Sequence, residues 1–361
     1  MAVKSMEDIK KLIDNPFQKI EEKEFNSLAL KIFDYQYNNN KVYQKYCRYK
    51  KIYPDKIKNW KQIPFMPIDI FKYAYVACFP VNDTVQVFST SGTSFGVAGR
   101  HYFTKETLEL KNKCFFSLAK GLLMPGINKA RIIVLCVPAE LRNSKFLHNA
   151  QLLIKKYGTK DSDYFINEKG KFEINNLIKY LQKHHKQNTP LFILLNSDLI
   201  LDFISICNKK RLKFPLPKRS RIMLSGFKET KVAKQEFFLQ LQMMFDLPEY
   251  SIIDDYGMTE STSSWYDNVL RNKLLGNKEQ RCKEDPCWAK TIIVDPVSLK
   301  EVEYGKVGLI RFVNLANSNT LSFIQTNDLG FKVGKGFEVI GKAAKEEAPG
   351  YYSLPVSVPA I

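Results

Sequence analysis

The sequence predicts an α/β fold, a mainly parallel sheet flanked by helices with a β-rich part toward the C-terminus. Three observations predict it. Short continuous apolar runs at 132–137, 191–195, 222–224 and 252–253 have the texture of strands buried on both faces. Helix-like segments near 174–185, 197–209 and 231–246 separate them, and strands alternating with helices imply right-handed crossovers and parallel pairing. After residue 290 the texture changes. The runs 291–294 and 307–313 are separated only by turn-like residues, which predicts antiparallel hairpins.

Taken in order, residues 1–60 read as a polar, helical segment. Its interleaved aromatics, Phe25, Phe33, Tyr35, Tyr37, Tyr43, Tyr46, Tyr49 and Tyr53, are expected to pack it on the main domain. Pro64 and Pro67 then impose an extended connection. A hydrophobic run enters the loop Val87-Phe88-Ser89-Thr90-Ser91-Gly92-Thr93-Ser94-Phe95-Gly96, and a helix is expected to begin near Thr104, a suitable N-cap with Glu106 in the first turn. Leu108, Cys114, Phe115, Leu118 and Leu122 give that helix an apolar stripe, and Gly121 and Pro125-Gly126 end it. The expected division is a helical segment 1–60, an α/β domain 61–340 and a short tail 341–361.

Composition narrows the function classes. A chain of 361 residues that is 45% hydrophobic can bury a sizeable core. Its longest apolar stretch, 191–207, is interrupted by Asn196, Asp198 and Asp202, so no transmembrane helix is expected. The first residues, Met1-Ala2-Val3-Lys4-Ser5-Met6-Glu7-Asp8, lack an apolar signal core. Seven scattered cysteines read as reduced thiols, which points to the cytoplasm. Cys282 and Cys287 are the one close pair and lack neighbours to complete a zinc site. A net charge of +18 raises nucleic acid as a partner. The basic residues are spread along the whole chain, however, without a basic arm, so no nucleic-acid partner is expected. Even the run from Lys209 to Arg219 reads as a solvated loop. The charge suits long-range steering of ATP or of an acidic carrier protein.

The Ser/Thr/Gly loop offers hydroxyls and unencumbered backbone N–H groups of the kind that cradle phosphate oxygens. It is no Walker loop, having no Gly-Lys-Ser or Gly-Lys-Thr, and a plain turn is its competing reading. Two distant stretches add to it. Asp254-Asp255-Tyr256-Gly257-Met258-Thr259-Glu260 directly follows an apolar strand, and Gln325-Thr326-Asn327-Asp328-Leu329-Gly330 closes a β-rich segment. Each alone also reads as an ordinary turn. Ligands of open α/β sheets sit outside the carboxyl ends of strands, so the loop and Tyr256-Gly257, each placed after a strand, are predicted to face one crevice.

In this order the three stretches resemble the core motifs of the adenylate-forming superfamily. Within it the chain is most similar to the LuxE-type acyl-protein synthetases of bacterial bioluminescence, with phenylacetate–CoA ligases as cousins. Ile63-Pro64-Phe65-Met66-Pro67-Ile68, Gly99-Arg100-His101 and Phe312-Val313-Asn314-Leu315-Ala316-Asn317 add to the likeness, which covers roughly residues 55–350. The resemblance implies an adenylate-forming large domain and an enzyme that converts ATP and a fatty or aryl carboxylic acid into an acyl-adenylate and pyrophosphate. It implies that Ser89, Thr90, Ser91, Gly92, Thr93 and Ser94 hold the β- and γ-phosphates. Tyr256, within Tyr256-Gly257-Met258, stacks on adenine, and Thr259 donates to the α-phosphate. Glu260 ligates Mg²⁺, and Asp328 accepts from the ribose hydroxyls. His101 orients the carboxylate or stabilises the pentavalent phosphorus, and Ser261, Thr262 and Ser263 line the acyl pocket.

Departures from the pattern carry expectations too. The glycine doublet of the family is broken at Ser225-Gly226-Phe227-Lys228, and the hinge arginine appears as Lys342, which supplies charge without a bidentate fork. Few residues follow Gly341, so the small C-terminal domain is expected to be truncated or absent, with Lys335, Lys342 or Lys345 as candidates for its lysine. Gly350-Tyr351-Tyr352-Ser353-Leu354 has no cysteine where the bioluminescence enzymes carry their acyl group, and Cys287 reads as structural. The adenylate is therefore expected to pass straight to an external thiol, on an acyl reductase, an acidic acyl carrier protein or CoA. The competing expectation is a degenerate, non-catalytic scaffold subunit of an acyl-transfer complex.

Overall fold

The computed structural model describes residues 2–90, 97–136, 143–167, 169–184, 187–226 and 234–344. They form two units, the first drawn from residues 1–118, 258–264 and 282–361, the second from 119–257 and 265–281.

The first unit opens with three helices, α1 (Ala2–Asp14), α2 (Glu22–Asn39) and α3 (Lys41–Tyr49). Phe25, Leu28, Ala29, Ile32 and Phe33 recur at helical spacing and form the buried face of α2. Asn40 separates α2 from α3: its Oδ1 accepts from Tyr43 N at 3.1 Å, while its Nδ2 donates to Thr320 O at 3.0 Å. Of the aromatics of this segment, Phe25, Phe33 and Tyr43 are fully buried. Tyr43 and Tyr46 donate through Oη to Pro64 O and Phe65 O, at 2.6 and 3.0 Å. Tyr49, in contrast, is 61% exposed. The extended Pro64–Pro67 connection ends in β1 (Met66–Pro67), followed by α4 (Ile70–Tyr73).

Next come β2 (Gln86–Ser89) and β3 (Arg100–Phe103), which pair antiparallel with Phe88 opposite His101 and Ser89 opposite Arg100. This corrects the predicted setting of the Ser/Thr/Gly loop. The loop does follow a strand, but it joins two neighbouring strands of a ribbon instead of leaving a parallel sheet. So short a return admits only antiparallel pairing, and the crevice rule for open sheets does not apply to it. The helix predicted from Thr104 is α5 (Lys105–Leu118). Thr104 and Thr107 cap it reciprocally, Thr104 N donating to Thr107 Oγ1 at 2.9 Å and Thr107 N to Thr104 Oγ1 at 3.3 Å. Its buried stripe runs through Leu110 and Lys111, with Leu108 only half-buried.

The second unit is the predicted parallel sheet. Its strands are β4 (Arg131–Leu135), β5 (Asp163–Tyr164), β6 (Leu191–Asn196), β7 (Arg221–Ser225), β8 (Ile252–Gly257) and β9 (Ser264–Tyr266), in the order β5-β4-β6-β7-β8-β9. From β5 through β8 every pairing is parallel. Its helices are α6 (Lys145–Tyr157), α7 (Ile174–His184), α8 (Ser197–Lys209), α9 (Lys234–Phe245) and α10 (Val269–Leu275). The register aligns Ile133, Ile193, Ile222 and Ile252 across four strands, each no more than 2% exposed. Phe203, Phe237, Leu241 and Phe245 of the helices join them in one apolar core.

The chain then returns to the first unit with β10 (Ala289–Val294), β11 (Gly308–Asn314), β12 (Phe323–Val333) and β13 (Gly336–Lys342). The predicted hairpin is present: β10 and β11 pair antiparallel from Ala289–Asn314 to Val294–Leu309. β11 pairs with one edge of β12, and β1 and β13 share the other. The stretch around Asp328 therefore lies inside a strand, and the β-rich segment continues past it. Of the expected tail, residues 341–344 are described, with Lys342 still in β13; Lys345 and the rest lie outside the described residues.

Candidate active site

The first unit assembles the neck of the phosphate loop. Thr90 N donates to Gly99 O at 3.0 Å, and Gly99 N donates to Thr90 Oγ1 at 2.8 Å, closing the loop just beyond the β2–β3 ribbon. The side chain of Thr90 thus serves the neck, while Ser89 is the half-buried last residue of β2. Ser91, Gly92, Thr93 and Ser94 lie outside the described residues. Glu260 lies against this neck: a Cβ built on Gly99 would stand 2.9 Å from Glu260 Oε1 and 3.4 Å from Thr90 Cγ2. The loop base and the motif glutamate, far apart in sequence, lie side by side, and a side chain at position 99 would displace the carboxylate from where it stands.

The segment carrying Glu260 is held from the other side by a band of buried polar groups. His101 is 1% exposed. Its Nδ1 is 2.9 Å from Thr259 O and its Nε2 is 3.0 Å from Thr320 Oγ1. Since a carbonyl only accepts, Nδ1 carries the proton. Phe71 and Phe103 flank the ring, with centroids 5.8 and 4.3 Å away. Asn314 Nδ2 donates to Ser261 Oγ at 3.0 Å, and Trp288 Nε1 donates to Ser263 Oγ at 2.9 Å. Asn317 Oδ1 accepts from Thr262 N at 2.7 Å. Ser261, Thr262 and Ser263 are all buried among these partners. Gly99, Asn314, Asn317, Thr320 and Trp288 received no role from the sequence. The signal available was the Asn/Ser/Thr-rich stretch 314–322 between two apolar strands, where hydroxyls and amides must find partners once buried.

Asp328 sits half-buried in β12 directly across from Lys342 of β13, and Ala343 N donates to Asn327 O at 2.9 Å. The residue in the hinge position is thereby paired in register with the motif aspartate. The hydroxyl of Thr326 is turned inward, donating to Ile310 O at 2.7 Å and accepting from Asp328 N at 3.2 Å.

In the second unit, Tyr256 and Gly257 end β8, Tyr256 half-buried with its ring 5.9 Å from that of Trp265 and Gly257 exposed. Met258 begins the first unit's segment. Upstream, Asp254 accepts from Lys234 Nζ at 2.6 Å, and Asp255 accepts from Ser225 Oγ at 3.2 Å. Buried Asp267 accepts from Asp254 N at 3.1 Å and from Arg281 Nε at 2.8 Å. Burial alone would lower the Arg281 pKa, but Asp267, Glu249 and Asp254 hold it above the ordinary value. Gly226, just after β7, has φ of +70°, a backbone state suited to glycine; Phe227 and Lys228 lie outside the described residues.

All seven cysteines are described, and none of them forms a disulfide. Burial raises the thiol pKa of Cys287 to about 11. Its Sγ lies 3.4 Å from Leu12 O, packed beneath the N-terminal helices. A thiol held protonated and enclosed in this way is a poor nucleophile. Among the described residues no group of three or more His, Cys, Asp or Glu side chains is placed to hold a metal. Mg²⁺, the cation the resemblance implies, is hard and usually bound by one or two carboxylates with the remaining oxygens from phosphate and water. The single Glu260 carboxylate beside the phosphate-loop neck fits that donor set. No helix among the described residues is long and apolar enough to cross a membrane.

A sequence model of the family described as "Acyl-protein synthetase, LuxE" matches residues 4–353. The chain is 20% identical over 320 residues to the long-chain-fatty-acid–luciferin-component ligase of Aliivibrio fischeri, covering 86% of this chain and 80% of that protein. Among solved structures, a 2-hydroxyisobutyryl-CoA ligase in complex with 2-HIB-AMP and CoA aligns with a TM-score of 0.65 at 12% identity, over 88% of this chain and 74% of the ligase. ATP-bound MatB from Rhodopseudomonas palustris aligns with a TM-score of 0.51 at 13% identity, over 80% and 53% of the two chains. The fold is that of the adenylate-forming ligases.

Proposed function

The chain belongs to the LuxE family of acyl-protein synthetases, and from that premise we propose how its own residues divide the work. It is an ATP-dependent ligase that activates a carboxylic acid as the acyl-adenylate and transfers the acyl group to a thiol. The non-catalytic scaffold reading is not favoured by this membership. The substrate in our reading is a long-chain fatty acid, in keeping with the A. fischeri relative's name. A carboxylate oxygen of the acid attacks the α-phosphorus of ATP, the bond to the bridging oxygen breaks, and pyrophosphate leaves. The sulfur of the acceptor then attacks the acyl carbon and AMP leaves.

The observation that carries this reading is the Glu260 carboxylate packed against the Thr90–Gly99 neck. Charge on the phosphates develops beside this neck, and a fixed carboxylate there supplies the protein oxygen for Mg²⁺. Mg²⁺, when bound, neutralises phosphate charge and stabilises the leaving pyrophosphate. Ser89 through Ser94 orient the β- and γ-phosphates, Thr259 donates to the α-phosphate, and Asp328 accepts from the ribose. Tyr256, followed by Gly257 and Met258, stacks on the adenine. His101, bonded at both ring nitrogens, serves by orientation. None of these groups is a nucleophile, so the first step runs on positioning and charge stabilisation.

No cysteine stands near the usual acyl-carrying position, and Cys287 is enclosed with its pKa raised to about 11. The acceptor in our reading is therefore external: a reductase, an acidic carrier protein drawn by the +18 charge, or CoA. The seven cysteines, none in a disulfide, fit a reducing, cytoplasmic setting. Incubating the protein with ATP, Mg²⁺ and a labelled acid, long-chain or aromatic, beside each acceptor class tests this. We expect AMP and thioester in equal amounts with the long-chain acid and one acceptor. ATP turnover leaving label on the chain itself, with every external thiol inert, would contradict the direct transfer.

A further inference from the structure

We infer that Asn317 is a positioning residue for Glu260, acting through a closed hydrogen-bond circuit with Thr320 and His101; the inference rests on the reading of Glu260 as the Mg²⁺ ligand. The circuit begins at Asn317, 1% exposed. Its Nδ2 donates to Glu260 O at 3.0 Å and to Leu321 O at 3.0 Å, while its Oδ1 accepts from Thr262 N at 2.7 Å. Both amide hydrogens and the carbonyl are thus spent on three backbone groups. Only an amide with this reach meets two acceptors and one donor together. The backbone of Asn317 is tied in turn: its carbonyl accepts from Thr320 N at 2.9 Å and from Gln36 Nε2 at 3.0 Å. Thr320 Oγ1 lies 3.0 Å from His101 Nε2, and His101 Nδ1 donates to Thr259 O at 2.9 Å.

The consequence is geometric. His101 fixes the carbonyl of Thr259, and Asn317 fixes the carbonyl of Glu260 and the amide of Thr262. With the peptide planes on both sides of the Glu260 Cα held, the direction of its Cα–Cβ bond is set, and the carboxylate is delivered against Gly99. A strand or helix would fix such a segment through its own ladder. Residues 258–263 lie in neither, so side chains supply the fixing. Buried hydrogen bonds of this kind hold a site within the few tenths of an ångström that metal and phosphate geometry requires.

The test is the gain in ATP affinity produced by Mg²⁺, measured by calorimetry as the ratio of ATP Kd in EDTA to that in saturating Mg²⁺, so that no turnover is needed. Glu260→Gln sets the reference and is expected to abolish most of the gain. Asn317→Asp keeps the size and the acceptor for Thr262 N, but replaces both donated bonds with a carboxylate facing two carbonyl oxygens. Thr320→Val removes the hydroxyl that donates to His101 Nε2, at nearly constant volume. We expect Asn317→Asp to cut the gain tenfold or more and Thr320→Val to cut it several-fold, with Kd in EDTA within about threefold of wild type. Trp288→Phe removes a buried bond to Ser263 in the same segment, and is expected to lower Tm while leaving the gain intact. A purely structural role would lower Tm in all three variants and leave the ratio at its wild-type value, and that result overturns the inference. If Asn317→Asp does not fold, Thr320→Val decides alone, a wild-type ratio overturning the inference and a reduced one supporting it. A wild-type ratio in Glu260→Gln overturns the Mg²⁺-ligand reading and the inference with it. Loss in Glu260→Gln without loss in the folded circuit variants overturns the inference alone.

Discussion

Gly99→Ala tests the proposed site apart from the fold, because the space beside Gly99 is filled by the Glu260 carboxylate and not by apolar core. The new methyl carbon would stand 2.9 Å from Glu260 Oε1, 3.4 Å from Thr90 Cγ2 and 3.6 Å from Thr90 Oγ1. The two threonine contacts are tolerable. The carboxylate must retreat by about half an ångström to reach ordinary van der Waals separation, near 3.5 Å. Being the end of a flexible side chain, it can do so without breaking the Thr90–Gly99 bonds. The backbone of Gly99 is outside the left-handed region, so alanine meets no conformational penalty and gains about 0.4–1 kcal/mol from the unfolded chain. Net stability should therefore change by less than about 1 kcal/mol. Catalysis should not escape: productive constellations tolerate roughly 0.5 Å, and a displacement near 1 Å costs on the order of 100-fold. We predict a 10- to 100-fold loss of acid-dependent pyrophosphate–ATP exchange, partly offset by raised Mg²⁺, with Tm shifted by no more than a few degrees. Wild-type exchange in Gly99→Ala would refute the claim that the Glu260 carboxylate works from this position.

Other predictions concern the frame around the site. Arg281→Ala strips Asp267, which is 0% exposed, of its 2.8 Å cationic partner. Losing this charge-assisted bond to a buried carboxylate should cost about 1.5–3 kcal/mol in denaturant unfolding, and a loss under about 0.5 kcal/mol would contradict the pairing. Tyr43→Phe deletes the 2.6 Å bond to Pro64 O. It should cost about 1–2 kcal/mol and leave exchange untouched, which thermal unfolding and exchange together check. Stability should also fall at alkaline pH. Burial raises the thiols of Cys47 and Cys78 to about 12 and those of Cys207 and Cys287 to about 11. Below pH 9, the ordinary thiol value, folded and unfolded states bind these protons alike. Above it, only the unfolded chain releases them, so each thiol removes about 1.4 kcal/mol per pH unit until its folded pKa is reached. Unfolding free energies that stay level from pH 8.5 to 10.5 would contradict this burial.

The parallel sheet was legible because each of its central strands is a continuous apolar run, and the register later aligned their isoleucines row by row. The helix from Thr104 was legible because capping is local: Thr104 and Thr107 satisfy each other within one turn. The hairpin of β10 and β11 was legible because only turn-like residues separate its two apolar runs. What escaped were relations between distant residues. No local pattern announces that Gly99 faces Glu260, because a glycine's reason for being there is the neighbour it admits. The setting of the phosphate loop was misread because a short strand entering a loop looks alike in a parallel sheet and in a ribbon; the difference lies in β3, whose Arg100-His101-Tyr102-Phe103 carries mixed polarity. Asp328 was read at the end of its segment because Asn327-Asp328-Leu329-Gly330 has the composition of a turn, yet pairing with β13 holds it in a strand. Asn317 and Thr320 were invisible as functional residues because Asn317 bonds backbone atoms and Thr320 the ring of a histidine far away in the chain, and neither relation leaves a mark in sequence.

In our reading this chain forms an acyl-adenylate at a site completed by Glu260. The decisive experiment is exchange of labelled pyrophosphate into ATP, with and without a panel of short, long and aromatic acids. We expect exchange that requires both Mg²⁺ and a long-chain acid, and that falls at least ~100-fold in Glu260→Gln while the variant stays folded. Exchange independent of any acid, or undiminished in Glu260→Gln, would contradict it.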